Sequence, residues 1–169
     1  MSESRPPSQL QKELKQNAPF ASPAEEGIVS LFRTADLVRR SATEALEPTE
    51  VSLAQYNVLR ILRGAGDRGL PILAIAGRLV QETPGITRFI DRLESLGLLT
   101  RHRCSQDRRR VYCKITPEGL DVVESMTPVL THHNARCMSA LSDSEQVQLI
   151  NYLDRIRAKL TRTETENDS

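Results

Sequence analysis

Residues 83–119 read TPGITRFIDRLESLGLLTRHRCSQDRRRVYCKITPEG, and the change of period inside this stretch decides the expected fold. Ile86, Phe89, Ile90, Leu93 and Leu96 recur at three- and four-residue spacing, which is the pattern of a helix with one buried stripe. Thr83-Pro84 reads as a cap followed by proline and predicts that this helix runs over 83–96, with Gly97 stopping it. The pattern then shortens to two strands, 98–104 and 110–115. In the second, Val111, Cys113 and Ile115 alternate with Tyr112 and Lys114. Residues 105–109 form the polar tip of the resulting hairpin.

Reading outward, a short helix carries Ile72, Ile75, Ala76 and Leu79, so that helix, tight turn and helix precede the hairpin. A helix capped by Ser52 lies before it, with Leu53, Tyr56, Leu59 and Leu62 on one face and Gly64-Ala65-Gly66 at its end. Ser22-Pro23 starts a long helix to about residue 46, with Ile28, Leu31, Phe32, Ala35 and Val38 in register. Downstream, Thr116-Pro117 opens a helix through Leu120, Val123, Met126 and Leu130, which Pro128 is expected to kink. Ser142 and Glu145 make a capping box for a last helix carrying Val147, Ile150, Leu153, Ile156 and Leu160. Residues 1–22 show no sustained period and read as a flexible arm.

A helix-turn-helix followed by a basic hairpin is a winged helix, and its charge fits a polyanion. Nine Lys and Arg stand against four acids between Arg78 and Lys114, a net of +5 that leaves −4 in the rest of a chain totalling +1. A helix fits the major groove of B-DNA, while a hairpin beside it can push cations into the more negative minor groove. Opposite the apolar stripe, the 83–96 helix presents Pro84, Thr87, Arg88, Asp91, Arg92 and Ser95; these apart from Ser95, with Thr83 and Gly85 at the helix start, are the candidate DNA-binding residues. Arg88 suits guanine O6 and N7, and Thr87 can reach a base edge or a phosphate. Asp91 and Arg92 read as groups that orient side chains or touch the backbone. At the hairpin tip Asp107, Arg108, Arg109 and Arg110 concentrate charge; the carboxylate can hold one guanidinium while Arg109 enters the groove.

Asp107-Arg108-Arg109 followed by Ile115-Thr116-Pro117-Glu118-Gly119 resembles the D-x-R…L-T-x-x-G signature of the MarR (multiple antibiotic resistance regulator) transcription factors. Residues 87–98 are similar to that family's recognition helix and its exit, and residues 53–59 to an earlier helix. Departures occur at Gly77, inside the short helix, and at Pro84-Gly85. The resemblance spans roughly residues 25–162. It implies a mainly α fold with a small β-hairpin wing, a winged helix-turn-helix plus a helical dimerisation region. It also implies a homodimer on a pseudo-palindromic double-stranded operator, usually as a repressor, with a small-molecule effector bound between the dimerisation helices and the DNA-binding lobe.

The expected partition is an arm at 1–22, dimerisation helices at 23–47 and 117–162, the winged helix-turn-helix at 48–116, and a polar tail at 163–169. Ile28, Phe32, Ala35, Ile150, Leu153, Ile156 and Leu160 are the expected dimerisation residues. Composition points the same way: 38% apolar and 27% charged residues suit one globular domain, with no apolar run long enough to span a membrane and no secretory leader. Three irregularly spaced cysteines read as free thiols in a reducing cytoplasm. No catalytic constellation and no cofactor motif is found. His133 and Cys137 share a helical face beside His132, but two ligands do not make a zinc site, and no metal is expected. Two other functions stay open: a redox sensor using Cys104 or Cys113, and a winged-helix module that binds protein rather than DNA.

Overall fold

A computed structural model describes residues 6–46, 50–80, 85–103 and 111–167, with side chains as far as 161. The elements run α1 Gln9–Glu13, α2 Pro23–Ala45, α3 Leu53–Ala65, a 3-10 turn Gly66–Arg68, β1 Leu70–Pro71 and α4 Ile72–Ala76. There follow α5 Ile86–Ser95, β2 Leu99–Arg103, β3 Val111–Ile115, α6 Pro117–Met138 and α7 Asp143–Asn167. The fold is a winged helix: mainly helical, with a small antiparallel sheet.

Caps read from sequence recur in the structure. Ser22 Oγ accepts from Glu25 N ahead of Pro23, and Ser52 and Gln55 satisfy each other's backbone in a capping box. Of the Ser142 box, Ser142 N donates to Glu145 Oε2 at 2.8 Å. Ser142 Oγ donates to the same oxygen at 2.7 Å, and this side-chain bond, with the backbone one behind it, holds the Glu145 carboxyl below its ordinary range. The core gathers Val58, Leu59 and Leu62 of α3, Ile75 of α4, Ile90 and Leu93 of α5, Leu99 and Cys113 of the sheet, and Val123 and Met126 of α6. Burying each large aliphatic side chain contributes about 1.5–3 kcal/mol. Helices α3, α4, α5 and α6 therefore close with the sheet on one centre. Two polar pairs tie α6 to its neighbours. Tyr56 Oη lies 3.1 Å from Thr127 Oγ1, and the buried His133 places Nε2 3.1 Å from Ser41 Oγ in α2.

Several expectations need correction. The sheet has three strands in the order β1-β3-β2, because Leu70 and Pro71 pair with Cys113 and Tyr112. Two residues are too short to show a strand period. The short helix ends at Ala76, so Gly77 is its C-cap rather than an interior residue. Within 1–22, α1 forms under a Ser8–Gln11 capping box, and Gln11 Nε2 donates to Ala18 O at 3.2 Å. At five residues it is below the length at which periodicity shows. The last helix continues to Asn167, through most of the segment assigned to a polar tail. A polar sequence lacking Gly or Pro carries no stop signal.

Candidate nucleic-acid interface

The apolar stripe of α5 sits as the period requires: Ile90 and Leu93 are buried, and Thr87, Arg88, Asp91, Arg92 and Ser95 are exposed. The helix starts later than 83, however. Gly85 is its N-cap at φ 84°, a left-handed conformation that ends helical geometry and favours glycine. Thr83 and Pro84 lie outside the described residues, as do Cys104, Asp107, Arg108, Arg109 and Arg110. Among the described residues no carboxylate pairs with Arg88 or Arg92, so both guanidiniums stand available to an anion.

The exit of α5 is built with more care than its entrance. Gly97, at φ 72°, donates to Glu94 O at 2.9 Å, and Leu98 N donates to Leu93 O at 2.9 Å, which is a Schellman closure. Thr116 then locks this exit to α6. Its Oγ1 donates to Gly97 O at 2.7 Å and accepts from Gly119 N at 3.1 Å, while its N donates to Leu98 O at 3.2 Å. Gly119 permits the approach, since a Cβ there would stand 2.1 Å from Leu98 O. The Thr-Pro-Glu-Gly run thus sets the angle between the outward helix and the long α6.

β2 and β3 pair antiparallel from Leu99 opposite Ile115 to Arg103 opposite Val111. On one face His102 stacks on Tyr112 with ring centroids 5.9 Å apart. Nearby, Lys114 Nζ reaches Asp67 Oδ1 at 2.7 Å and holds that carboxyl below its ordinary range. On the other face Arg101 lies opposite Cys113 and turns toward α5, where its guanidinium bonds the Asp91 carboxylate. Arg101 Nε is 3.5 Å from Glu94 Oε2. The bond to Asp91 keeps Arg101 above its ordinary pKa. Sequence reasoning named Asp91 and missed Arg101; a carboxylate pair at i and i+3 followed by a strand arginine was the available signal.

The thiols divide by environment. Burial pushes Cys113 above the ordinary thiol pKa, with Arg101 opposing only in part. Thiolate chemistry at neutral pH is therefore disfavoured at Cys113. Alkylation of the folded protein should leave Cys113 unmodified until denaturant is added, as read by peptide mass spectrometry. Rapid labelling in the native state would contradict this burial. Cys137 is exposed, with Sγ 3.5 Å from His133 Nε2. No third His, Cys, Asp or Glu joins that pair among the described residues.

Against known proteins, residues 51–111 match the pattern of the MarR family. The HTH-type transcriptional regulator YkoM of Bacillus subtilis is 34% identical over 113 residues, covering 67% of this chain and 69% of that protein. A MarR transcription factor from Planctomyces limnophilus shares 33% identity and superposes with a TM-score of 0.62 over 80% of this chain and 98% of its own. MepR of S. aureus, solved in complex with DNA, shares 26% identity with a TM-score of 0.71 over 78% of this chain and 96% of its own.

Proposed function

The chain belongs to the MarR family of DNA-binding transcriptional regulators, and from that premise we propose that it acts as a homodimeric repressor on a pseudo-palindromic operator. The observation that carries the reading is the outward face of α5, where Arg88 and Arg92 stand without carboxylate partners beside Thr87. Thr83, Pro84 and Gly85 would border the groove, and Asp107, Arg108, Arg109 and Arg110 would form the minor-groove wing, Arg109 inserting.

The proposed dimerisation region comprises α2, α6 and α7, flanking a DNA-binding region of about 48–116. Support comes from large apolar side chains left in solvent. Phe32 is 71% exposed and Leu160 62%, with Ile28, Ile150 and Ile156 also exposed. No described side chain of α7 is buried, so a single chain leaves that helix without a core to join. Ala35 is exposed and Leu153 half-buried, on the same elements.

The proposed effector would act beside the exit of α5. A cavity of about 300 Å³ lies between the end of α5 and α6, bounded by Val51, Leu96, Leu98, Val122, Ser125 and Met126. A small, largely apolar molecule there would press on Leu96 and Leu98, which carry the exit of α5. Binding would thereby shift the population of DNA-competent dimers.

No described helix is long and apolar enough to cross a membrane. Work on operator DNA tests the proposal directly. Hydroxyl-radical footprinting should reveal two protections on one face, centred about one helical turn, ~10 bp, apart. Sedimentation should give twice the chain mass. A single asymmetric protection, or a monomer bound to DNA, would overturn the dimer.

A further inference from the structure

We propose that Arg101 is a positioning residue for DNA reading, one that neutralises the two carboxylates of the recognition helix and ties β2 to α5 without touching DNA itself. The proposal rests on the reading of α5 as the DNA-binding helix. Asp91 and Glu94 are the only acids of α5, and they lie on or beside the face that carries Arg88 and Arg92. Left alone, two carboxylates within a Debye length of phosphates, ~8–10 Å, would oppose binding. Arg101 engages both: it hydrogen-bonds Asp91 and sets its Nε 3.5 Å from Glu94 Oε2.

Its placement makes it a brace rather than a reader. The Arg101 side chain is 25% exposed, whereas Asp91 is 56% and Glu94 41% exposed. The guanidinium emerges from the sheet face occupied by Cys113, and its Nε is buried without a hydrogen bond. To meet a phosphate, that nitrogen would have to leave its buried place beside Glu94. Because β2 leads directly into the wing, the same contact fixes the wing strand relative to the helix. Asp91, being held, is withdrawn from cytosine N4, the base group a carboxylate would otherwise read.

The carboxylate partners are exposed, and pairs of this kind contribute little to stability, so the effect belongs in binding. The test compares wild type, Arg101→Gln, Arg101→Lys, Asp91→Asn/Glu94→Gln, and that double variant combined with Arg101→Gln. Affinities are measured over a salt series on a sequence selected from a random pool and on random DNA, alongside thermal unfolding. Arg101→Gln should weaken binding to the selected sequence about tenfold or more. Its slope of log K against log salt should stay as in wild type, because no phosphate contact is lost.

Arg101→Lys keeps the charge but not the fork, and should fall between. In the Asp91→Asn/Glu94→Gln background, Arg101→Gln should change affinity less than about twofold. A slope reduced by about one unit, with equal loss in both backgrounds, would make Arg101 a phosphate contact and overturn the proposal. Unchanged affinity in Arg101→Gln would overturn it as well. Should Arg101→Gln fail to fold, Arg101→Lys in the two backgrounds gives the same comparison. Wild-type protein that binds neither DNA would remove the DNA reading itself, a failure distinct from the others.

Discussion

Replacing Gly119 by alanine should destabilise the folded protein by about 2–4 kcal/mol, where helix propensity alone predicts a gain of about 0.5–1 kcal/mol. Gly119 sits in the first turn of α6, and every ordinary argument favours alanine there. The tertiary contact reverses the sign. An added Cβ would stand 2.1 Å from Leu98 O and 2.8 Å from Ile115 Cγ1, and the first of these is backbone held by Thr116 N. Relief requires parting α6 from the exit of α5. Gly64, in α3 with nothing within 4 Å of a built Cβ, is the control: Gly64→Ala should be neutral or stabilising. Denaturant unfolding of both variants checks the pair. A Gly119→Ala protein as stable as wild type would mean that the junction yields freely, and that the Thr116–Gly119 lock does not set the angle of α5.

The second large effect is expected at Arg88. Arg88→Ala should cost about 1–3 kcal/mol on the selected sequence, roughly five- to 150-fold, and much less on random DNA. The side chain is exposed and lacks a carboxylate partner, so thermal stability should stay within about 0.5 kcal/mol. Arg88→Lys should recover little of the specificity, since a point charge cannot bridge guanine O6 and N7 together. Equal weakening on both DNAs, with the salt slope lowered by about one unit, would instead assign Arg88 to a phosphate.

Short-range chemistry made most of this legible beforehand. The stripe of Ile86, Phe89, Ile90 and Leu93 needs only its own period to declare a helix and its outward face. Ser22-Pro23, Ser52 and Gly97 place helix ends through bonds that span three to five residues. Charge counting alone located the basic segment, and the spacing of Asp107 to Gly119 carried the family likeness. Where the signal was local but too short, as in α1 and β1, the reading passed over it. At Gly85 the local rule misplaced the helix start, because a Thr-Pro pair outranks a glycine when the backbone angle is unknown.

What the chain order hides is which residues meet after folding. Arg101 finds Asp91 ten residues back, and His133 finds Ser41 ninety-two residues back. Neither pairing has a spacing that announces it. Thr116 and Gly119 were visible as a pattern, yet the reason for the glycine lies on Leu98 O, on the far side of the hairpin. Amphipathic stripes on α2 and α7 told that both helices need a partner surface. Only their packing left Phe32 and Leu160 in solvent while Val58 and Leu59 filled the core. The physical reason is that local bonding and periodicity specify elements, whereas exclusion of water from shared volume, counted over the whole assembly of elements, selects which faces meet.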